Sequence, residues 1–251
     1  MEKRIILLAI VVVAVCLCSS AFALDPMGPP IAGLKQGELS YGAEWSYSDM
    51  EVKRMVQAWS SADDQMNIKM HKGYANIGYG VADNWEGFLR LGGAYIEWDR
   101  DAQGYRNYSH DPLSIALGGG FKTTVYEQAP DCHWGVLGQV SWADFAGVAK
   151  REDTDSHNWQ MELIEWQFAV GPTWQMQDGV VIYGGPFLYY AGGRISERGD
   201  NTKGHKPIEE LSTLGGYIGA QFEIAEDICA SLEWQHTGVA DAICGCLVWR
   251  Q

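Results

Sequence analysis

The chain has 251 residues, a formal charge of −14, 30 glycines and 12% aromatic residues. So acidic a balance excludes the basic footprint that nucleic-acid binding needs. Beyond the N-terminal region no stretch approaches about 18 consecutive apolar residues, which excludes transmembrane helices there. Abundant Gly and aromatic residues suit strands with close backbone approaches.

Lys3 and Arg4 precede an apolar run from Ile5 to Leu17, and Ala21-Phe22-Ala23 supplies a small-x-small pattern. Residues 1–23 therefore read as a secretory signal peptide cleaved after Ala23. The run is 13 residues long, short of the roughly 20 needed to span a bilayer as an anchor. Val15 and Leu17, the residues before Cys16 and Cys18, are too large for a lipobox. The first 23 residues hold only Glu2, Lys3 and Arg4 as charges, so the remainder carries −15. Four cysteines stay in the mature part, Cys132, Cys229, Cys244 and Cys246. An exported compartment permits disulfides, but a Cys244–Cys246 bridge would be strained, and on a strand both side chains share one face. Zinc needs about four ligands and no matching His/Cys pair stands near, so no metal site is assigned.

Pro26, Pro29 and Pro30 mark residues 24–36 as an extended leader. From 37 to 251 the hydrophobic pattern has period two, the signature of strands with one apolar face. The first strand is predicted at about 38–48, with Leu39, Tyr41, Ala43, Trp45 and Tyr47 opposite Ser40, Gly42, Glu44 and Ser46. The second runs at about 67–81 and turns at Ala82-Asp83-Asn84 into the third, about 85–98, where Trp85, Leu89, Leu91 and Tyr95 oppose Arg90. The fourth, about 113–125, sets Leu113, Ile115, Leu117 and Phe121 against Ser114, Ala116 and Lys122. The fifth, about 134–146, sets Trp134, Val136, Val140 and Trp142 against Gln139 and Ser141. The sixth, about 159–176, sets Ile164, Trp166, Phe168 and Val170 against Glu165 and Gln167, and Asp178-Gly179 then signals a hairpin. The seventh spans about 180–195. The eighth, about 213–225, sets Ile218, Ala220, Phe222 and Ile224 against Tyr217, Gln221 and Glu223. The ninth, about 228–236, sets Leu232 and Trp234 against Glu233 and Gln235, and the tenth spans about 241–250.

Short and long connections alternate along these strands. The long ones are 49–66, 99–112, 147–158 and 196–212. Tight periplasmic turns, long external loops and an even strand count are the layout of an outer-membrane barrel. The prediction is an all-β, antiparallel up-and-down transmembrane β-barrel of about ten strands, with eight as the alternative, both termini periplasmic. Trp85, Trp134, Trp174 and Trp249 fall near predicted periplasmic strand ends, and Trp98 and Trp159 near external ends. Amphipathic rings prefer the headgroup level, so these six are predicted to form interface girdles.

Residues 73–86 read Gly-Tyr-Ala-Asn-Ile-Gly-Tyr-Gly-Val-Ala-Asp-Asn-Trp-Glu. This glycine–aromatic strand and Asp-Asn turn resemble the central hairpin of OmpA-type and opacity-type outer-membrane barrels. The resemblance in layout covers nearly all of the mature chain. It implies a membrane-embedded barrel, with outer-membrane lipid and the barrel-insertion machinery as partners. It implies little about activity. Such barrels usually end on an aromatic residue, whereas this chain ends Trp249-Arg250-Gln251. Pro172 and Pro186 need bulges or strand ends, because proline cannot donate to a ladder.

Glu44, Arg90, Lys122, Gln139, Glu165, Gln167, Glu223 and Glu233 fall on the predicted inward face. In a narrow lumen such charges either form an ion-pair network that fills it or line a polar pore. Four acids against two bases would give that pore a weak cation preference. His236 beside Thr237 is the one pattern suggestive of a lipid or peptide hydrolase, but no acidic orienter is identifiable in sequence, and no catalytic residue is assigned. The acidic clusters Asp99, Asp101, Asp111 and Glu152, Asp153, Asp155 lack EF-hand spacing. A soluble lipocalin-type barrel would want apolar residues inside, where Glu and Gln are predicted instead. The expectation is a barrel with a structural or surface-interaction role through its external loops, with an unidentified surface ligand. A narrow porin-like channel is the alternative, and no cofactor is expected.

Overall fold

The computed structural model describes residues 24–54, 64–99, 108–110, 114–150, 156–176, 179–198, 203–210 and 214–251. Among the described residues twelve strands are formed: β1 Leu39–Arg54, β2 Asp64–Ala82, β3 Trp85–Asp99, β4 Tyr108–His110, β5 Ser114–Ala129, β6 Cys132–Lys150, β7 Ser156–Gln175, β8 Val180–Arg198, β9 Lys203–Glu210, β10 Leu214–Ala225, β11 Ile228–Thr237 and β12 Ala240–Arg250. Ten of them, all but β4 and β9, close into an antiparallel barrel, with β8 pairing β10 and β12 returning to β1. Closure removes the unpaired sheet edges that lipid cannot solvate.

The last strand, where the sequence departs from the aromatic terminus of similar barrels, is fully paired. Its ladder to β1 runs from Ser40↔Arg250 to Met50↔Ala240. Pro172 and Pro186 both sit where the β7–β8 ladder lapses, between Ala169↔Phe187 and Thr173↔Tyr183. Neither proline therefore leaves a ladder bond unmade between these two strands.

The tight connections 83–84, 130–131 and 226–227 gather at one end, the turn end, where β7 also leads into β8. At the opposite, loop end the strands run further than the sequence predicts. β1 continues to Arg54, β6 to Lys150 and β8 to Arg198. The predicted loops 49–66, 99–112, 147–158 and 196–212 are shorter as a result, and β4 and β9 arise within two of them. β9 bridges β8 and β1 beyond the short β11–β12 hairpin, through Gly192↔Glu209 and Val52↔Glu210.

Polarity also reverses partway along the strands. On β7, Ile164, Trp166, Phe168 and Val170 point outward and are exposed, while Glu165, Gln167 and Ala169 are buried inside. Closer to the loop end, Trp159, Met161 and Leu163 are buried inside, while Gln160 is exposed and Glu162 half-buried on the outside. The pleat keeps its period of two, but the apolar residues change faces between Leu163 and Ile164. The same change occurs on β2, where Ile68 and Met70 are buried inside but Ile77 and Tyr79 are exposed outside. It also occurs on β6, between Val140 outside and Phe145 inside.

Between Trp174 and Ile164, eleven residues of tilted strand rise about 27 Å, the height of an outer-membrane apolar band. Directly above that band, five outward side chains lie side by side across five strands: His236, Asp241, Asp49, Lys69 and Glu97. The row beneath holds Trp234, Ile243, Tyr47, His71 and Tyr95. This aromatic row is the loop-end girdle.

That placement corrects the predicted girdle. Trp85, Trp174 and Trp249 are exposed at the turn end, with Trp134 half-buried beside them. Trp159 instead faces inward and is 5% exposed, because it lies past the reversal, where the inner face is the apolar one. The side chain of Trp98 lies outside the described residues.

Candidate functional site

The lumen is occupied, and its occupant is the segment 24–36. Leu24, Asp25, Met27 and Leu34 are each at most 3% exposed. Pro26, Gly28, Pro29, Pro30 and Gly33 keep this stretch out of regular structure. Its backbone donors and acceptors therefore need partners on the wall. Glu233 accepts from the amides of Met27 at 3.0 Å and Gly28 at 2.8 Å. Glu86 accepts from Gly33 at 2.9 Å. Arg90 donates to the Pro26 carbonyl at 2.6 Å, and Gln235 to the Asp25 carbonyl at 2.8 Å. Gly135 permits the close pass of the segment: a Cβ there would lie 2.5 Å from the Pro30 carbonyl group.

At mid-depth the wall residues and the plug form one network. The Lys72 ammonium bonds Asp25 at 3.0 Å and also Glu165. Tyr189 donates to the second oxygen of Glu165 at 2.6 Å, and Tyr74 to Asp25 at 3.2 Å. Arg90 meets Glu44 at 2.6 Å and Gln139 at 3.0 Å. Gln139, Gln167 and Gln235 continue around the wall as a chain of amide hydrogen bonds of 2.5 and 2.9 Å. Buried charge is tolerated only when paired and hydrogen-bonded, and here Lys72 and Arg90 supply the pairing.

The structure thus brings together Glu44, Arg90, Gln139, Glu165, Gln167 and Glu233, all buried. Lys122 is half-buried and lines a cavity of about 270 Å³ between the plug and the turn-end wall, with Glu86, His133 and Arg250. Glu223 departs from the expectation: it is exposed at the turn-end rim, beside a bulge between Glu223 and Ala225. The sequence reading missed Lys72 and Asn76, although both occupy inward positions of β2, whereas Gln235 lies buried inside on the face predicted for it with Glu233. Asp25 carried no such signal, since its segment has no periodicity.

Toward the loop end the interior changes character. Met50, Ile68, Met70, Ile96, Phe145, Trp159, Met161 and Ile195 are all buried there as one apolar core. The predicted polar lining ends at the level of Lys72 and Glu165.

On the outer face, His236 Nδ1 lies 2.6 Å from Asp241 and stacks on Trp234 at 5.8 Å. The orienting acid unseen in the sequence is thus the cross-strand neighbour of His236. Thr237 does not join them: it is 1% exposed, faces the interior, and accepts from the Ala240 amide at 2.9 Å. Among the described residues no group of three His, Cys, Asp or Glu side chains could hold a metal ion. Cys132, Cys229, Cys244 and Cys246 are free, with Cys244 and Cys246 on the inner face of β12. Asp101, Asp111, Glu152, Asp153 and Asp155 lie outside the described residues, as does the side chain of Asp99.

No protein-family model matches the chain, and no curated protein matches it in sequence. Among solved structures it is similar to the translocator domain of the autotransporter NalP from Neisseria meningitidis, at 11% identity and a TM-score of 0.50, over 87% of this chain and 89% of that one. It is similar to the outer membrane protease OmpT from Escherichia coli, at 7% identity and a TM-score of 0.50, over 85% of this chain and 94% of that one. Ail, the attachment invasion locus protein of Yersinia pestis, aligns over 86% of this chain and 99% of its own at 16% identity, with a TM-score of only 0.33. At such identities the likeness concerns the fold alone. That fold is the closed antiparallel transmembrane β-barrel of outer-membrane proteins, as the resemblance to small OmpA-type and opacity-type barrels implied.

Proposed function

We propose that this protein is a plugged outer-membrane barrel that acts at the cell surface through the part standing above the membrane. The turn end and both termini of the mature chain face the periplasm, and the loop end faces outward. One observation carries this reading: apart from the cavity beside the plug, the lumen is obstructed along its length. The segment 24–36 occupies the turn-end half, Lys72, Asp25 and Glu165 lock mid-depth, and side chains such as Phe145 and Met161 close the loop-end half. An obstructed lumen leaves the outward-facing loops and strand ends as the surface on which a ligand would act. Planar-bilayer recording on the purified protein tests this. It should be silent, and a steady conductance would sink the proposal.

A second reading is favoured by the cavity beside the plug. A barrel whose plug can leave becomes a narrow channel with a weak cation preference, set by Glu44, Glu165 and Glu233. Conductance that appears on plug displacement and changes in a Glu165→Gln variant would select this reading. A hydrolase built on His236 is less well supported, because Thr237 faces away from the His236–Asp241 pair.

A further inference from the structure

Three observations converge on the first residue of the plug. The Leu24 carbonyl accepts from the Cys244 thiol at 3.4 Å, and Leu24 itself is fully buried. Cys244 is the strand partner of Ser46. Ser46 and Ser48, the next inward position on β1, are 0% exposed, and neither hydroxyl has a hydrogen-bond partner. A buried hydroxyl without a partner costs free energy that a nearby donor would recover. Beside them Asp25 and Glu165 share the single ammonium of Lys72, so this level of the lumen carries one carboxylate more than it has cations.

We infer that the lumen is a receptor for the chain's own free N-terminus: cleavage between Ala23 and Leu24 locks the plug in place, and the resulting Leu24 ammonium binds beside Asp25 with Ser46 and Ser48 as its acceptors. Hydrolysis of that peptide bond consumes one water. It leaves the Ala23 carboxylate on the departing leader and an ammonium on Leu24. The new cation supplies the missing positive charge and gives donors to the two idle hydroxyls. A leader still attached supplies neither. Export processing and closure of the lumen are thereby one event. The inference rests on the plugged outer-membrane reading above.

The test uses the whole gene, with protein purified from the membrane fraction. Intact mass should give Leu24 as the first residue, and another start would overturn the inference. An amine-reactive acetylating reagent should modify exposed lysines of the folded protein, leave the Leu24 amine untouched, and modify it after unfolding. Full modification in the folded state would also overturn it. A variant with Gly-Ser-Gly-Ser inserted between Ala23 and Leu24 keeps the cleavage motif but leaves four extra residues on the mature chain. Its Met27 and Gly28 amides should exchange about ten-fold faster or more, as expected of an undocked segment, while the barrel keeps its heat-modifiable gel shift. Unchanged exchange would overturn docking of the free terminus without touching the barrel reading. Absence of the protein from the membrane fraction would instead overturn that reading.

Discussion

Two neighbouring stretches of β7 are built to opposite rules. Residues 164–168 send Ile164, Trp166 and Phe168 outward and Glu165 and Gln167 inward, whereas 159–163 send Gln160 and Glu162 outward and Trp159, Met161 and Leu163 inward. The outer face answers to the medium, which is lipid below the Asp241–Asp49–Lys69–Glu97 row and water above it. The inner face answers to what fills the barrel. Where a strand-free segment threads the lumen, its amides and carbonyls need partners, and Glu233, Glu86, Arg90 and Gln235 provide them. Toward the loop end, among the described residues, wall side chains meet one another, and apolar ones do so without needing polar partners.

The largest effect should come from the polar level. Lys72→Met strips the cation from Asp25 and Glu165, and removing one partner of a buried ion pair costs about 3–5 kcal/mol. Urea unfolding in detergent micelles should show it, and adding Glu165→Gln to the same chain should recover part of the loss. A neutral Lys72→Met would mean that the plug is not held by this network. The next effect separates inside from outside with one residue type. Phe145→Ala opens a cavity in the loop-end core and should cost about 3–5 kcal/mol. Phe168→Ala borders lipid, leaves no cavity, and should cost under about 1 kcal/mol. Equal costs would erase the distinction between the two halves.

Smaller effects locate the boundary itself. Leu91→Arg places a charge within the apolar band and should cost about 2–4 kcal/mol. Glu97→Arg, on the same face of β3 but above the band, should stay within about 0.5 kcal/mol. Refolding yield into vesicles reads both, and a costly Glu97→Arg would move the boundary upward. The smallest effect is expected at Arg194 and Glu162, whose 2.7 Å contact sits on the outer face with side chains 64% and 33% exposed. A double-mutant cycle there should give under about 1 kcal/mol.

Much of the fold was legible in the sequence because lipid and pleat together impose a simple alternation. Ten strands, the tight turns at Asp83-Asn84 and Glu226-Asp227, and the inward set around Glu44, Arg90 and Glu165 all follow from it. What the alternation hid was its own inversion. Trp159 has the parity of Glu165 and Gln167, so its inward position was available, but the girdle rule for tryptophan outweighed parity. Lys72 and Asn76 were hidden by similar neglect of the inward positions of β2. The plug was hidden for a different reason. Pro26 to Gly33 has no period, and its partners Glu233, Glu86 and Gln235 lie about 50 to 210 positions away in sequence. Contacts of that range leave no local trace. The Asp241 partner of His236 is a cross-strand neighbour, visible only once the β11–β12 register is known.

The reversal of polarity is the claim on which the rest depends, and site-directed spin labelling on one strand tests it most directly. Nitroxides placed singly at positions 160, 162, 164, 166 and 168 all point outward on β7. In vesicles, the labels at 164, 166 and 168 should collide mainly with oxygen, which partitions into lipid. Those at 160 and 162 should collide mainly with a water-soluble nickel chelate, and the change should fall between 162 and 164. Labels that all behave as lipid-exposed, or all as water-exposed, would contradict the account.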